Sequence, residues 1–466
     1  MNEKKIFFIL RDTKQPMSHF TQQNQEVHNY MTQDVPNSLK SNSSAQAIKT
    51  RNRIFQISST SQSQNSGGVV LFNIPPSNYS ITKGTMALRC RIQAVGLTGA
   101  GSGVSATSIG FQGAGAISAA SFVPTYGNGY SVINRLTLYG ANSAVMEQQN
   151  YANDNMNLML LHNSNGSYLG ADALLMAGVG QAWTYNGSTG AEIDLVLPLP
   201  LSVFNSSTQD FPNYLLSAPL TLQIDLASLN RAIWKGASIT ALTDYTITNT
   251  YLVYQACELP SAYVEAERTA VKSSPFIMNL TSTLNVQIPA SIATSYSLGL
   301  NASSVRAVFV LPSNGVGYSS ATQLQYIRDT TDYNSAFAFN GAGTNAIVFV
   351  DGNQINSAIF DTPVMCFQGL KNALHHSLQG SVIYSSPPLG SSTLVNNPYL
   401  TQFYALGWDL TSFDDEASLF CGTPCTTLNI QLTGYGAQNP TYLSTLIVVY
   451  DVLLAFEADG TIQVKR

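Results

Sequence analysis

Charged side chains are scarce in this chain. Asp, Glu, Lys and Arg make up 10% of its 466 residues, whereas soluble domains typically contain about 25%. Long amphipathic helices need Glu, Lys and Arg on their exposed faces, so the composition argues against a mainly helical protein. Hydrophobic residues still account for 44% of the chain, which is enough to fill a core. The remaining Ser, Thr, Asn, Gln and Gly suit strands with polar outer faces. They also suit a surface that packs against copies of itself, because unpaired charges are costly to desolvate.

Cysteines and long apolar runs are also few. The apolar run from Ile6 to Leu10 ends at Arg11 and is far shorter than the roughly 20 residues that span a bilayer. It does not have the form of a signal peptide, so we expect cytoplasmic synthesis without secretion. The cysteines are odd in number and widely spaced, which does not indicate a disulfide framework. They are Cys90, Cys257, Cys366, Cys421 and Cys425.

Clusters of titratable residues, which a catalytic or metal site needs, are scarce as well. His375 and His376 are adjacent, and neighbouring side chains point apart on a helix or strand. Cys421 and Cys425 have no second Cys or His pair at zinc-finger spacing. The acidic run 414–416 does not have the ligand spacing of a calcium loop. The sequence therefore predicts no catalytic, cofactor-binding or metal-binding residues, and a protein that is not an enzyme.

Four segments follow from the pattern of apolar residues. Residues 1–66 are rich in Gln, Asn and Ser and are interpreted as an N-terminal arm. Residues 67–263 and 275–466 carry strand-like runs, and the charged segment 264–274 connects them. In 85–95, alternate residues are apolar, as expected for a half-buried strand. No run is long enough to form crossover helices between parallel strands, so the sheets are predicted to be antiparallel sandwiches.

Further strands are predicted wherever β-branched and aromatic residues cluster. A long insertion at 150–189 is expected to contain two short helices, near 155–162 and 171–181. In the first half the predicted strands are 69–74, 85–95, 132–139, 192–199, 219–226 and 248–257. In the second half they are 276–286, 304–311, 346–350, 364–367, 400–410, 426–432 and 446–456.

The two halves repeat the same landmarks in the same order, about 200 residues apart. A strand that ends at a Gly/Asn turn occurs at 136–142 and again at 347–353, and the stretches 199–202 and 407–411 each precede a polar loop. The pattern T-L-x-I-x-L occurs at 221–226 and 427–432, and the closing strand carries 252–254 in one half and 448–450 in the other. Each half has about 200 residues and about eight strands, as in a jelly roll of two four-stranded sheets. We therefore predict an all-β fold of two tandem jelly rolls with short helices in the loops.

Four runs of the sequence carry a resemblance to a known family. The proline-marked run 197–204 is followed by 219–226 and by the Asn/Arg turn at 229–234, and the strand 250–259 leads through Pro260 into the second half. With its two tandem units, the chain resembles the double jelly-roll major capsid proteins of the virophage and polinton-like type. The resemblance covers residues from about 67 to 460.

The resemblance implies a homotrimer, which forms a pseudo-hexagonal capsomer in the icosahedral shell of a DNA virus. The protein would then be a virion component made in the host cytoplasm, with penton and minor capsid proteins as further partners. Two other classes stay open on composition alone. One is a viral spike, minor capsid protein or adhesin-type surface-binding protein, and the other is a two-domain β-sandwich hydrolase of the peptide-N-glycosidase kind.

The arm itself allows two interpretations. Lys4 and Lys5 beside the apolar run 6–10 could contact an anionic membrane inside the shell or an adjacent subunit, or the segment could be a frayed terminus. Eight basic and four acidic residues give residues 1–66 a net charge of +4. This charge is too small to condense a packaged genome, and we expect no sequence-specific binding of nucleic acid.

Overall fold

The computed structural model describes strands and helices from both halves of the chain. The described residues are 51–97, 109–111, 128–152, 183–186, 190–205, 209–235, 242–289, 293–313, 345–355, 360–374, 405–411, 421–433 and 443–465. Strands dominate them, and no helix among them is long and apolar enough to cross a membrane.

Two antiparallel sheets form the first jelly roll. One sheet has the order β1-β13-β5-β10-β9, with β2 and β4 also paired to β13, and the other has the order β3-β11-β7-β8. The two sheets alternate along the chain, as in a jelly roll. The strands are β1 (Arg51–Ser58), β2 (Ser63–Asn65), β3 (Val69–Ile74), β4 (Tyr79–Ile81), β5 (Ala87–Val95), β6 (Ile109–Phe111), β7 (Ile133–Tyr139), β8 (Val145–Asn150), β9 (Thr184–Asn186), β10 (Gly190–Pro198), β11 (Leu220–Leu226), β12 (Ile233–Lys235) and β13 (Asp244–Glu258).

The second jelly roll has the same strand order, but one long strand belongs to both of its sheets. The path runs β14-β20-β15-β19-β16-β17, with β18 paired to β15 and β21 paired to β20. The strands are β14 (Phe276–Pro289), β15 (Ala293–Ser313), β16 (Asn345–Val350), β17 (Asn353–Gln354), β18 (Leu406–Asp409), β19 (Thr423–Thr433), β20 (Leu443–Phe456) and β21 (Ile462–Lys465).

The strand β15 changes partner at a bend. Its first part pairs with β19 and its last part, from Val305, pairs with β20. Between them the register shifts, and Asn301 adopts a positive φ of 49°, a conformation that Asn tolerates better than most residues. The bulge therefore lets one strand turn the corner between two sheets.

The internal repeat predicted from the sequence is confirmed by strand pairing. β11 and β19 carry the two T-L-x-I-x-L runs, and they pair with β7 and β16 respectively. Leu222 lies opposite Leu138, and Leu428 lies opposite Val350. Val350 therefore corresponds to Leu138 at an offset of 212 residues, and Leu428 corresponds to Leu222 at an offset of 206 residues.

Alternation along the strands also agrees with burial. Arg89, Arg91 and Gln93 are exposed or half-buried, and they lie between residues that face the core. The predicted inward face of 85–95 is buried throughout, at Met86 just before β5 and at Leu88, Cys90, Ile92 and Ala94 on it. The fold class of two tandem antiparallel jelly rolls is thus confirmed.

Short helices join the strands, and one of them corrects a prediction. The segment 364–367, predicted as a strand, lies in a helix, because Thr362 accepts a hydrogen bond from Met365 N as the N-cap and Pro363 begins the helix. Another helix begins at Ser261 and ends at Val271, so it includes residues 264–271 of the predicted connector 264–274. The helices are α1 (Ser202–Asn205), α2 (Leu229–Ala232), α3 (Ser261–Val271) and α4 (Pro363–Ala373), with 3₁₀ turns at Gly129–Val132 and Asn213–Leu215.

The predicted arm is wrong over its last residues. Arg51–Ser58 forms β1, which pairs along its whole length with β13. Its alternating Phe55 and Ile57 pack against the core, so this part of 1–66 belongs to the first jelly roll. Residues 1–50 lie outside the described residues, as do both helices predicted within 150–189. The other domain boundaries stay predictions.

Burial predicts which substitutions destabilise this fold. Leu428 is fully buried on β19, so Leu428→Ala should lower the free energy of unfolding by about 2–5 kcal/mol, from lost transfer energy and a residual cavity. Gln431 is exposed on the same strand, and Gln431→Ala should change it by less than about 0.5 kcal/mol. Guanidinium unfolding measures both variants. Equal effects of the two would contradict the assigned register.

Candidate assembly interface

The two jelly rolls contact each other through different sides. The strand β8 and the helix α1 of the first jelly roll lie against β14 of the second. Asn285 on β14 is fully buried, and its Nδ2 donates to the carbonyl oxygen of Asn150 at the end of β8, at 2.7 Å. The β8 edge of the first unit therefore meets the β14 edge of the second. Because β14 corresponds to β1 and not to β8, the two units are arranged head to tail.

An aromatic cluster fills one end of this contact. The ring of Phe211 lies between Phe204 of α1 and Phe456 at the end of β20, with centroid distances of 5.1 and 5.6 Å. Phe456 also contacts Phe276, the first residue of β14, at 5.8 Å. All three pairs are edge-to-face, a geometry that adds about 0.5–1.5 kcal/mol per pair beyond the burial of area.

A buried carboxylate fixes the segment between β10 and β11. Oε1 of Glu147 on β8 accepts from the backbone N–H of Ser202 at 2.9 Å and from Nε2 of Gln149 at 2.6 Å. Oε2 of Glu147 accepts from the N–H of Val203 at 3.1 Å. Burial raises the pKa of this carboxyl, and the hydrogen bonds offset part of that rise. Glu147 thus holds α1, and with it Phe204, in place against the second unit.

The C-terminal hairpin and the connecting helix complete the contact. The N–H of Ser217 donates to the carbonyl of Gly460 at 3.3 Å. Gly460 has a φ of +80°, and a Cβ there would lie 2.5 Å from Ser217 N, so the turn requires glycine. On α3, Nε of Arg268 donates to the carbonyl of Tyr214 at 2.9 Å. The contact between the units therefore spans the connector, β14 and the hairpin before β21.

The cysteine pair singled out in the sequence lies in a packed part of the second jelly roll. Cys421 and Cys425 are buried free thiols, and burial raises the pKa of Cys425 to about 11. Beside them, Asp451 accepts from Arg306 Nε at 2.6 Å and is hydrogen-bonded to Ser304 at 2.5 Å. This network joins the bend of β15 to β20 and is a structural feature.

The other residues weighed as candidate sites fall elsewhere. His375, His376 and the acidic run 414–416 lie outside the described residues. Within the described part of the chain, no group of three His, Cys, Asp or Glu side chains is placed to hold a metal ion.

Sequence reasoning missed Glu147 and Asn285, although they organise the contact between the jelly rolls. A signal was present in the polar run Glu147–Asn150, which follows a strand and a tight turn. Considered alone, the polar run Glu147–Asn150 predicts an exposed strand. Glu147 and Gln149 are buried because the segments that contact this run, α1 and β14, come from distant parts of the chain.

The raised pKa of Glu147 predicts a specific dependence on pH. A carboxyl whose pKa is higher in the folded state contributes stability below its ordinary pKa of 4.5, and that contribution is lost as the pH rises through the folded-state pKa. In Glu147→Gln one backbone N–H loses its acceptor, which costs about 1–3 kcal/mol. The free energy of unfolding of Glu147→Gln should therefore lie furthest below that of wild type near pH 4, and this deficit should shrink toward pH 7.

Denaturant unfolding at several pH values measures this difference. Glu192→Gln, which removes a carboxylate that is only partly buried on β10, is the control and should show a deficit below about 0.5 kcal/mol. A deficit of Glu147→Gln that grows with pH would contradict the assigned direction.

Comparisons with known proteins agree with the geometry. No protein-family model matches the sequence, and no curated protein matches it significantly. The VP54 protein of PBCV-1, fitted into a reconstruction of the virophage Sputnik, is similar with a TM-score of 0.56 at 12% identity, over 90% of this chain and 97% of that chain. A PBCV-1 virus capsid model gives 0.55 at 12% identity, over 90% and 97%. The cryo-EM structure of the Sputnik virophage gives 0.54 at 13% identity, over 89% and 88%. In fold, the chain is a double jelly roll similar to these virus proteins along nearly its whole described length.

Proposed function

We propose that this chain is a major capsid protein, whose function is to assemble with copies of itself into a virus shell. The observation that carries the proposal is the pair of jelly rolls in one chain, arranged head to tail, with a fold similar to proteins of PBCV-1 and Sputnik particles. A fold alone does not define a function, so the surface of the chain must supply the rest of the argument.

The composition supports self-assembly. Because only 10% of the residues are charged, another copy of the chain can cover large parts of the surface without burying unpaired charges. The chain also has 23 tyrosines, whose rings add contact area and whose hydroxyls hydrogen-bond at the partly hydrated rim of an interface. Contacts of this kind are distributed over many residues. Such distributed contacts support a structural role for the chain.

We further propose a homotrimer as the building block. Three chains supply six jelly rolls, and a head-to-tail contact repeated around an axis forms a closed ring when the rotation allows it. Such a pseudo-hexagonal capsomer would tile an icosahedral shell of a DNA virus, after synthesis in the host cytoplasm. Penton proteins, minor capsid proteins and a membrane contact of the N-terminal arm remain expectations from the family resemblance.

Native mass spectrometry of the purified full-length chain tests this function. We expect a dominant species of three 50.1-kDa chains, and we expect shells or flat hexagonal arrays by negative-stain electron microscopy at high protein concentration. A chain that stays monomeric at all concentrations and binds glycans on an array would overturn the proposal in favour of a surface-binding protein.

A further inference from the structure

The outer face of the larger sheet of the first jelly roll concentrates charge in a chain that has little of it. Arg89 and Arg91 lie on β5, and Glu192 and Asp194 lie on the neighbouring strand β10. All four are exposed or half-buried, whereas the residues between them face the core. Only 10% of the whole chain is charged, so two cations and two carboxylates side by side stand out. These four residues form the charged patch.

The charges of the patch lie in two stripes of opposite sign. Across the strand pair, Asp194 lies opposite Arg91, and Glu192 lies opposite Gln93. Arg91 donates to Asp194 through Nε at 2.8 Å and through Nη2 at 2.9 Å, and its Nη1 lies 3.6 Å from Oε1 of Glu192. β5 therefore presents a basic stripe, and β10 presents an acidic stripe beside it.

Two members of the patch can still bind a further partner. The side chain of Asp194 is 69% exposed although it is paired. Arg89 is exposed and forms no ion pair with any of the described residues. Val196 on β10 and Tyr251 on β13 lie on either side of Arg89, and both are half-buried. An unpaired guanidinium, an exposed carboxylate and apolar side chains thus lie together.

The equivalent face of the second jelly roll is apolar and is covered within the chain. The last part of β15 pairs with β20 and β18 as β5 pairs with β13 and β10. Phe309 there is buried, because α4 packs on β15 and β18. The approach is so close that a Cβ added at Gly407 would lie 2.9 Å from the Cβ of Ala373. The same sheet face is therefore buried in one unit and exposed and charged in the other.

The two stripes make the patch complementary to a second copy of itself. A two-fold rotation about an axis parallel to the strands, midway between β5 and β10, places the basic stripe of one copy over the acidic stripe of the other. Arg91 then faces the partner's Asp194, and Arg89 lies two residues along the strand, about 7 Å, from the same carboxylate. Two sheets packed face to face lie about 10 Å apart, a gap that opposing arginine and carboxylate side chains can bridge.

The direction of this axis suits a closed layer. A rotation about the strand direction does not reverse that direction, so both copies keep the same end of the sheet on the same side. At that end β1 begins at Arg51 and β13 ends at Glu258. A shell needs this property, because all its subunits must present the same end to the interior.

We propose that the charged patch of one chain binds the charged patch of a second copy, about a two-fold axis parallel to the strands. The contact joins the first jelly rolls of two chains face to face, with two arginines and two carboxylates from each. It rests on the proposed function, because it gives the shell a lateral contact between building blocks. Without such a partner, the four charges would only stabilise the strand pair and keep the face hydrated.

Mixing two charge-reversed variants tests the contact. Arg89→Glu/Arg91→Glu makes both stripes acidic, and Glu192→Arg/Asp194→Arg makes both stripes basic. Each variant alone should need an about tenfold or higher protein concentration to form shells or hexagonal arrays, because like charges then face each other twice in every contact. An equal mixture of the two should return to within about threefold of wild type, because an acidic patch now meets a basic one. A role confined to the strand pair within one chain cannot be restored by mixing.

A control variant separates the contact from net charge. Lys83→Glu/Lys371→Glu changes the charge by the same amount as Arg89→Glu/Arg91→Glu, at two exposed lysines outside the patch. It should shift the assembly concentration by less than about threefold. Native mass spectrometry should give trimers for every variant, and circular dichroism should match wild type. If a double variant does not fold, Arg89→Glu mixed with Glu192→Arg gives the same test.

Salt gives an independent measure with opposite signs. Raising sodium chloride from about 0.05 to about 0.5 M shortens the screening length, so the wild-type chain should need a higher concentration to form arrays. Each double variant alone should need a lower one, because salt screens its repulsion.

The outcomes distinguish the inference from the proposed function. Folded, trimeric double variants that assemble like wild type, or that mixing does not restore, would overturn the inference while the proposed function stands. Loss without recovery on mixing would assign the patch to its own strand pair or to a different partner. A wild-type chain that forms neither trimers nor shells would contradict the proposed function.

Discussion

The contact between the two jelly rolls depends on a buried carboxylate that fixes α1 from within the first unit. A buried hydrogen-bonding group that is left unpaired costs about 1–3 kcal/mol, and Glu147 is paired by accepting from three N–H groups. Phe204 of α1 is thereby held against Phe211, which in turn contacts Phe456 of the second unit. Across the contact itself, Nδ2 of Asn285 on β14 donates to the backbone carbonyl of Asn150 on β8.

The strands were largely predictable because their burial alternates. β5 and β11 face a core on one side only, so apolar and polar residues alternate along them and even the paired T-L-x-I-x-L runs of β11 and β19 could be located. What the letters could not fix was which residues of neighbouring strands lie opposite each other. Hydrogen-bonded pairing, not residue similarity, decides which residue of a strand faces the core.

Where prediction failed, long-range contacts or local capping decided the structure. β8 contains Glu147 and Gln149 on its buried face, so it shows no apolar alternation. β1 begins with two arginines because its edge is exposed. The run 364–367 looks like a strand by composition, but the Thr362 cap and Pro363 begin a helix whose Cys366, Leu370 and Leu374 face inward at helical spacing. The candidate interface was invisible for the same reason, since its residues come from both halves of the chain.

The rows of residues at the ends of the two closing strands differ in chemistry. In the second jelly roll the row is Phe276, Phe456 and Ile462, and Phe211 from the first jelly roll covers Phe456. Because this contact forms within one chain as the protein folds, its row can be aromatic. In the first jelly roll the row is Arg51, Glu258 and Tyr79, and Glu258 is paired with Arg53 at 3.0 Å. An exposed aromatic row would promote indiscriminate association, so polar and charged groups suit this exposed position.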